Sequence, residues 1–372
     1  LGLARETTAG TWLAPSVGIP FLKGEYEDMY AQIKDESVRG NDTILQGMYQ
    51  GPGHSEWSLD LHPYPDLIGH FLVAMIGPDT VTAGVSTTLS ASTIAGATSI
   101  STAATIPVGS TIQIDTGSNI EWAVTGTPTG TGPYTIPITT PASGLKFGHT
   151  SGAAVVSQST HVFKQSTAPL PTYSLTYYDT LQTLSSSWCR LSDLQLKIDP
   201  KGAVGLSLKY TGFPSVVQTS QTETFSTYDP LLGWSWNMTN AGAPSTRGLT
   251  LDTTIKRAVE AIPSSDGTQN PREVFGGAIE VDGTYKAIFD TQTDLNLYLQ
   301  YTQSPTSAAL AQPLARGGQS LSLTMSKSGY YKGKRDLSQA YAQADFSIGG
   351  IYNSTDGGAV QATLKNYQSS AY

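Results

Sequence analysis

A single cysteine, Cys189, in a chain of 372 residues excludes an internal disulfide framework, and with it the small secreted scaffold that such bridges hold together. Synthesis in a reducing cytosol is the expectation. Charge is also scarce. Only 13% of residues are charged, against about 25% in an ordinary soluble domain, so Ser, Thr and Gln must supply much of the surface polarity. The 21 Lys and Arg are outnumbered by 29 Asp and Glu, giving a formal charge of −8, which argues against a protein that works by neutralising nucleic-acid phosphates. The longest apolar run, Leu67 to Ile76, is too short to cross a bilayer, and no basic stretch followed by an apolar one marks a signal peptide, so a soluble product is expected. Without such a signal, the Asn-x-Ser/Thr sequons at Asn41, Asn237 and Asn353 carry no weight.

Patterns that would carry chemistry are missing too. His54, His62 and His70 recur at eight-residue steps, but their places at a strand start, a strand end and a following helix do not make them converge on a metal. Cys189 follows Trp188 ahead of a strand and reads as a buried small hydrophobe, with no histidine to activate it. The segment Gly329 to Arg335 lacks the glycine spacing and the Ser/Thr of a phosphate loop and reads as an exposed basic turn. Glu25, Glu27 and Asp28 form an acidic cluster whose separations the sequence does not give. There is no G-x-S-x-G elbow and no dinucleotide fingerprint. Neither an enzyme nor a metal or cofactor site is expected.

What is present is alternation. Trp57, Leu59 and Leu61 against Ser58 and Asp60 give a strand with one buried face, ahead of an amphipathic helix started by Pro65 and Asp66 and ended by Gly77. Leu67, Phe71 and Met75 make one helical stripe, which predicts a helix lying on a sheet. Between about Asp79 and Ser159, Thr, Ser, Ala and Gly dominate, with strands expected at Thr98–Ser101, Thr111–Asp115, Glu121–Thr125 and Tyr134–Thr139. Beyond it, alternation predicts one-sided strands through Tyr173–Tyr177, Leu194–Ile198, Val204–Tyr210, Leu295–Tyr301, Leu321–Met325 and Val360–Leu364. Asp199-Pro-Lys-Gly202 supplies a hairpin turn between the second and third of these. Thr254 to Ile262 fits a strand or a helix equally.

The pieces Ala4-Arg-Glu-Thr-Thr-Ala-Gly-Thr11, Asp35-Glu-Ser-Val-Arg-Gly40, Gln46-Gly47 and the Trp57 to Gly77 unit together resemble the major tail tube protein of long-tailed bacteriophages. His161-Val-Phe163 with Leu170 to Leu175 is similar to that family's return strand, and Gly329 to Ile351 with Gly358 to Asn366 to its closing strands. The resemblance implies a mainly β fold, a β-sandwich or partial barrel of two packed antiparallel sheets with a flanking α-helix. On that reading residues 1–78 and 160–372 form a discontinuous tube core, and residues 79–159 an inserted β-rich domain projecting outward. It further implies homo-hexameric rings stacked helically into a virion tail made in the host cytoplasm. The partners would be the tape measure protein and the tail terminator or baseplate proteins, with DNA only as transient cargo in the lumen. An acidic channel that repels phosphate would suit that cargo.

The long loop from about Lys34 to Gly53 is expected to reach a neighbouring subunit or the next ring. Asp35, Glu36 and Arg39 within it, and Lys332, Lys334 and Arg335 in the basic segment, are the candidate contacts. An outward insert would collide with an enclosing sheath, which favours a non-contractile tail. Two rival readings stand beside this one: a secreted or surface β-protein that binds carbohydrate on its nineteen tyrosines and six tryptophans, and a capsid decoration or baseplate protein. Arg39→Glu is expected to weaken polymerisation while leaving the monomer folded. Electron microscopy and thermal melting of the variant check this, and normal tubes would refute it.

Overall fold

The structure, a computed structural model, describes residues 1–166, 170–178, 180–289, 292–338 and 341–372. Its centre is a curved antiparallel sheet whose strands are β1 (Phe21–Asp35), β2 (Gly47–Leu61), β3 (Thr183–Ile198), β4 (Gly205–Gly212), β5 (Gly248–Ile262), β6 (Glu273–Ile288), β7 (Ser320–Asp336) and β8 (Gln343–Gly350). In space they run β1-β2-β4-β3-β5-β6-β8-β7. Trp57, Leu59 and Leu61 of β2, Leu206, Leu208 and Tyr210 of β4, and Leu194, Leu196 and Ile198 of β3 are all buried on one face, as alternation predicts. The Asp199–Gly202 turn closes β3 and β4 through Gly202 N–H to Asp199 O at 3.2 Å. The segment left open between strand and helix is β5, because Leu251, Thr253 and Ile255 face the core at period two.

A bulge at Leu191/Asp193 bends β3, and opposite Arg257/Val259 of β5 an extra residue between Gly276 and Ile279 bends β6. Beyond its bulge, β3 leaves β4 and β5 and pairs through its first half with Tyr173–Tyr178, which pairs in turn with Gly2–Arg5. The first half of β7 likewise pairs with Gln303–Ala311 and Gln361–Asn366, and the latter with Ser159–Lys164. One hydrophobic core is thereby wrapped by sheet on several sides, and it also holds Phe163, Tyr173, Tyr285 and Phe346.

Helix α1 covers Ile68–Met75 and packs on β3 and β5. Two expectations about it are corrected. It starts at Ile68 rather than Pro65, because the Pro65 carbonyl accepts the Asn366 side-chain amide at 2.7 Å, and Leu67 and Ile68 both donate to Tyr64 O in a turn. Nor is it amphipathic: every residue from Ile68 to Met75 except His70 is buried, so it is enclosed rather than laid on a surface. Asp66 accepts from Ser226 Oγ at 2.7 Å, and burial pushes its carboxyl above the usual range. At the other end, Arg257 donates to Met75 O at 3.0 Å, a cation placed where the helix dipole is negative.

The expected strand at Leu295–Tyr301 is a second helix, α2 (Thr293–Leu299). Spacing of two along Leu295, Leu297 and Leu299 mimics a strand, yet only Leu295 is buried in the helix, Leu299 and Tyr301 are exposed, and Tyr301 ends it at φ 52°. The segment Gly329 to Arg335 is also not a turn. It pairs residue by residue with β8, from Gly329↔Gly349 to Arg335↔Ala344, and a bulge between Tyr330 and Lys332 hides its alternation. Residues 339–340 of the closing-strand motif lie outside the described residues.

A separate sheet of six short strands lies between Ser86 and Ser157, around its own cluster of Leu89, Ile100, Ile112, Ile114, Ile136 and Val155. Asp79–Thr82 precedes it and pairs with Ser159–Lys164 in the large sheet. His149 is enclosed between Asp115, at 3.1 Å, and Glu121, at 2.6 Å. The module is fastened at more than its two ends: Tyr228 OH donates to Gln113 at 3.0 Å and Gln158 to Gly317 O at 3.2 Å.

Two predictions follow from α1. Phe71→Ala should destabilise by about 3–5 kcal/mol, because a large aromatic leaves a cavity that cannot collapse between helix and sheet. Burial, with Arg5 nearby as the lesser cause, pushes the His70 imidazole down to about 4. The unfolded ring, near 6.5, therefore takes up a proton that the folded ring refuses. Stability is full above that value and falls as the pH drops towards about 4. Urea midpoints across this window should decline less in His70→Gln than in the wild type, and an equal decline would assign the effect to other groups.

Candidate assembly surfaces

The face of the curved sheet opposite the core is wet and charged. One rung runs across four strands with alternating sign, Lys209 of β4 facing Asp193 of β3, which faces Lys256 of β5, which faces Glu280 of β6, whereas at the β1 side Glu27 directly faces Glu56. Two rungs away, past Gln195 and Thr254, Lys197 faces Asp252, and further along Lys286 faces Asp345, at 3.7 Å, which faces Lys334. At the β1 side Lys23 faces Asp60 and contacts Glu25 at 2.6 Å. Burial raises the Asp252 carboxyl while Lys197 draws it down. An open groove of about 650 Å³ crosses this face, lined among others by Glu25, Glu27, Glu56, Lys209 and Arg257. The acidic cluster is split between the two faces of β1: Glu25, held by Lys23, and Glu27 line the groove, whereas Asp28 lies opposite Ser55 on the other face and accepts from the N–H and hydroxyl of Ser215.

The loop expected over Lys34–Gly53 is nearly half strand. β1 and β2 stay paired up to Asp35↔Gly47, so only residues 36–46 form the tip of a long hairpin. Sequence hid this because neither face is buried there: Ile33, Met48 and Tyr49 are exposed on the strands, and Val38 and Ile44 are 95% and 77% exposed on the tip. Asp35 and Arg39 form an ion pair, with Ser37 holding the Asp35 carboxyl below its usual range, and Glu36 is exposed beside them. The β5–β6 hairpin leans on the same end, where Gln269 O accepts Gly53 N–H at 3.0 Å.

Lys332, Lys334 and Arg335 lie at the other end. Following the register from β2 across to β8 and β7 places the Asp336↔Gln343 end of β7–β8 away from the hairpin tip of β1–β2. The two ends are roughly 20 strand residues apart, or roughly 60 Å at about 3.3 Å per residue before twist shortens it. Arg335 sits over the Phe289 ring at 4.7 Å, and Leu337 and Tyr341 are exposed nearby, at 75% and 47%. One end is thus acidic and apolar, the other basic and apolar. The two candidate groups are not brought together within one chain.

The histidines go separate ways: His54 to Glu56 at 3.4 Å, His62 to Val204 O at 2.8 Å, and His70 against the Tyr372 ring. Among the described residues no three His, Cys, Asp or Glu side chains form a metal-ligand group. Cys189 is fully buried, and burial raises its thiol well above the ordinary value. Sequence reading missed two buried polar centres. His161 meets Asp79 at 2.7 Å, and Glu6 accepts from Gly10 N–H, Thr172, Ser174 and Trp188 N–H. Their partners are far apart in sequence, and no local pattern announces them.

The subunit is mainly β, with one wet sheet face, a long strand edge and unlike ends. A family model described as phage tail tube protein matches residues 1–365, and the chain belongs to that family. It is a structural component of a bacteriophage tail. A comparison with curated proteins finds no match.

Proposed function

We propose that six copies of this chain close into a ring and that the rings stack head to tail into the conduit for genome delivery. The observation that carries the reading is the pairing of unlike ends: an acidic, apolar hairpin tip at one and a basic, apolar strand end at the other. Such ends fit a neighbour's opposite end, and a head-to-tail contact that does not close on itself propagates as a filament. Lateral closure has a natural place at β1, which pairs only with β2 among the described residues and so leaves an edge of fifteen residues for a neighbouring copy.

In this ring the charged face of the sheet lines the lumen, occupied by the tape measure protein before DNA passes. Terminator and baseplate proteins meet the two unlike ends of the finished tube. The Ser86–Ser157 module stands on the outside and leaves no room for a close sheath, as in a non-contractile tail.

Ile44→Asp combined with Val38→Asp tests the stacking contact. Both side chains are exposed, so monomer stability should stay within about 0.5 kcal/mol. The concentration needed for tube growth, read by light scattering and electron microscopy, should rise at least about tenfold, corresponding to about 1.4 kcal/mol of lost contact. Lys334→Glu with Arg335→Glu should act in the same direction from the other end. Unchanged growth in both variants would refute the stacking surfaces.

A further inference from the structure

Resting on the tube reading, we propose that the tip of the β5–β6 hairpin is a strut that fixes the direction of the β1–β2 arm, with Gln269 as a positioning residue for ring stacking that itself lies outside the stacking contact. The need for a strut comes from the arm's own weakness. Beyond Tyr30↔Gly53 its two strands pair, among the described residues, only with each other, through Gln32↔Gln50, Ile33↔Tyr49, Lys34↔Met48 and Asp35↔Gly47. A two-stranded ribbon with both faces in water is marginally stable and strongly twisted. Its root is interrupted as well. Ala31 stands opposite both Gly51 and Pro52 in a bulge, Pro52 has no N–H to give the ladder, and a Cβ on Gly53 would lie 2.3 Å from the Tyr30 ring. At about 3.3 Å per residue, about 20 Å of strand separates Gly53 from Gly47, so a pivot of about 10° at this root carries Val38 and Ile44 by about 3 Å or more. That is as far as a hydrogen bond reaches.

Gln269 spans that weak point. Its carbonyl accepts Gly53 N–H at 3.0 Å on the body side of the bulge, and its side-chain amide donates to Gln50 O at 3.0 Å on the arm side. Among the described residues it is the one residue from outside the β1–β2 hairpin that hydrogen-bonds to the ribbon beyond the bulge. On the body side Asp28 is already held by Ser215 N–H at 2.9 Å, so the bulge is where freedom is left. The strut is itself shaped by its sequence. Pro263 and Pro271 flank the hairpin tip, Gly267 turns it at φ 82°, and Asp266 accepts the N–H and the hydroxyl of Thr268 at 3.0 and 2.8 Å. Gln269 is exposed and covers no core, so holding the arm is what its two bonds accomplish.

The test uses the full-length chain with nitroxide labels on Ser37→Cys at the arm tip and Lys201→Cys in the β3–β4 turn, both exposed, while Cys189 stays buried. Pulsed electron resonance on the unassembled protein reads the distance between them, and the parent should give one narrow peak. Gln269→Ala should broaden that peak at least about twofold and raise the concentration needed for tube growth about fivefold, the worth of one net hydrogen bond, with the urea midpoint unchanged. Gln269→Lys keeps a donor at similar reach and should restore both readouts, whereas Gln269→Glu keeps the size, loses the donor and should restore neither. A broad parent peak, or an alanine variant in which either readout stays at the parent value, overturns the strut. Electron microscopy of the unlabelled wild type is read separately: absence of rings and tubes overturns the tube reading, and the distance peaks then judge the strut alone.

Discussion

Everything in this molecule depends on one constraint, that each strand of the curved sheet keeps a dry face and a wet face in register with its neighbours. A shift of one residue would turn Trp57, Leu59 and Leu61 to water and carry Ser58 and Asp60 into the core. The dry face fixes the core, because β2, β4, β3 and β5 present Leu, Ile and Tyr to α1 and to one another. The wet face inherits its charge pattern from the same register, since Asp193 can stand between Lys209 and Lys256 only if all three strands are aligned. Core and surface are thus two readings of a single alignment. The bulges at Leu191/Asp193 and opposite Arg257/Val259 bend the sheet without breaking that alignment over the charged rungs.

The same constraint explains what could be read from the sequence. Strands with one buried face were legible because burial imposes period two, as at Ile112 and Ile114; in Glu121–Thr125 the alternation of Trp122 and Val124 marks the wrong face, since Glu121, Ala123 and Thr125 are the buried ones. The outer half of the β1–β2 hairpin was not legible, because with both faces in water nothing selects against Ile33 beside Lys34 or Tyr49 beside Gln50. A bulge erased the pattern in β7, and a chance spacing of leucines created a false one in α2. For the assembly surfaces, the residue types were legible and their placement was not. Asp35, Glu36, Arg39, Lys332, Lys334 and Arg335 could be picked out as charges in polar segments, but that the two sets occupy opposite ends follows only from the register across the intervening strands. The N-terminal motif was noticed without its reason: Glu6 organises four donors from three segments, and Gly10, at φ 81°, lies where a Cβ would strike the Trp188 ring.

Rigidity is the remaining requirement for a subunit whose contacts repeat along a filament, since any hinge would multiply with every copy. The small module is the obvious place for one, yet its connections are stiff. Gly84 and Val85 donate to Ser159 and Ser157 side chains at 2.9 and 2.7 Å, and a Cβ on Gly84 would lie 2.1 Å from Ser157 O. The entering and leaving strands are therefore pressed together with no slack, and glycine is what permits the approach. A further hold comes from Gln113 and Gln158, bound by Tyr228 and by the Gly317 carbonyl, which also accepts Tyr367. The module is thus joined to the large sheet at its neck and again at its flank, by more than the two strands that enter and leave it.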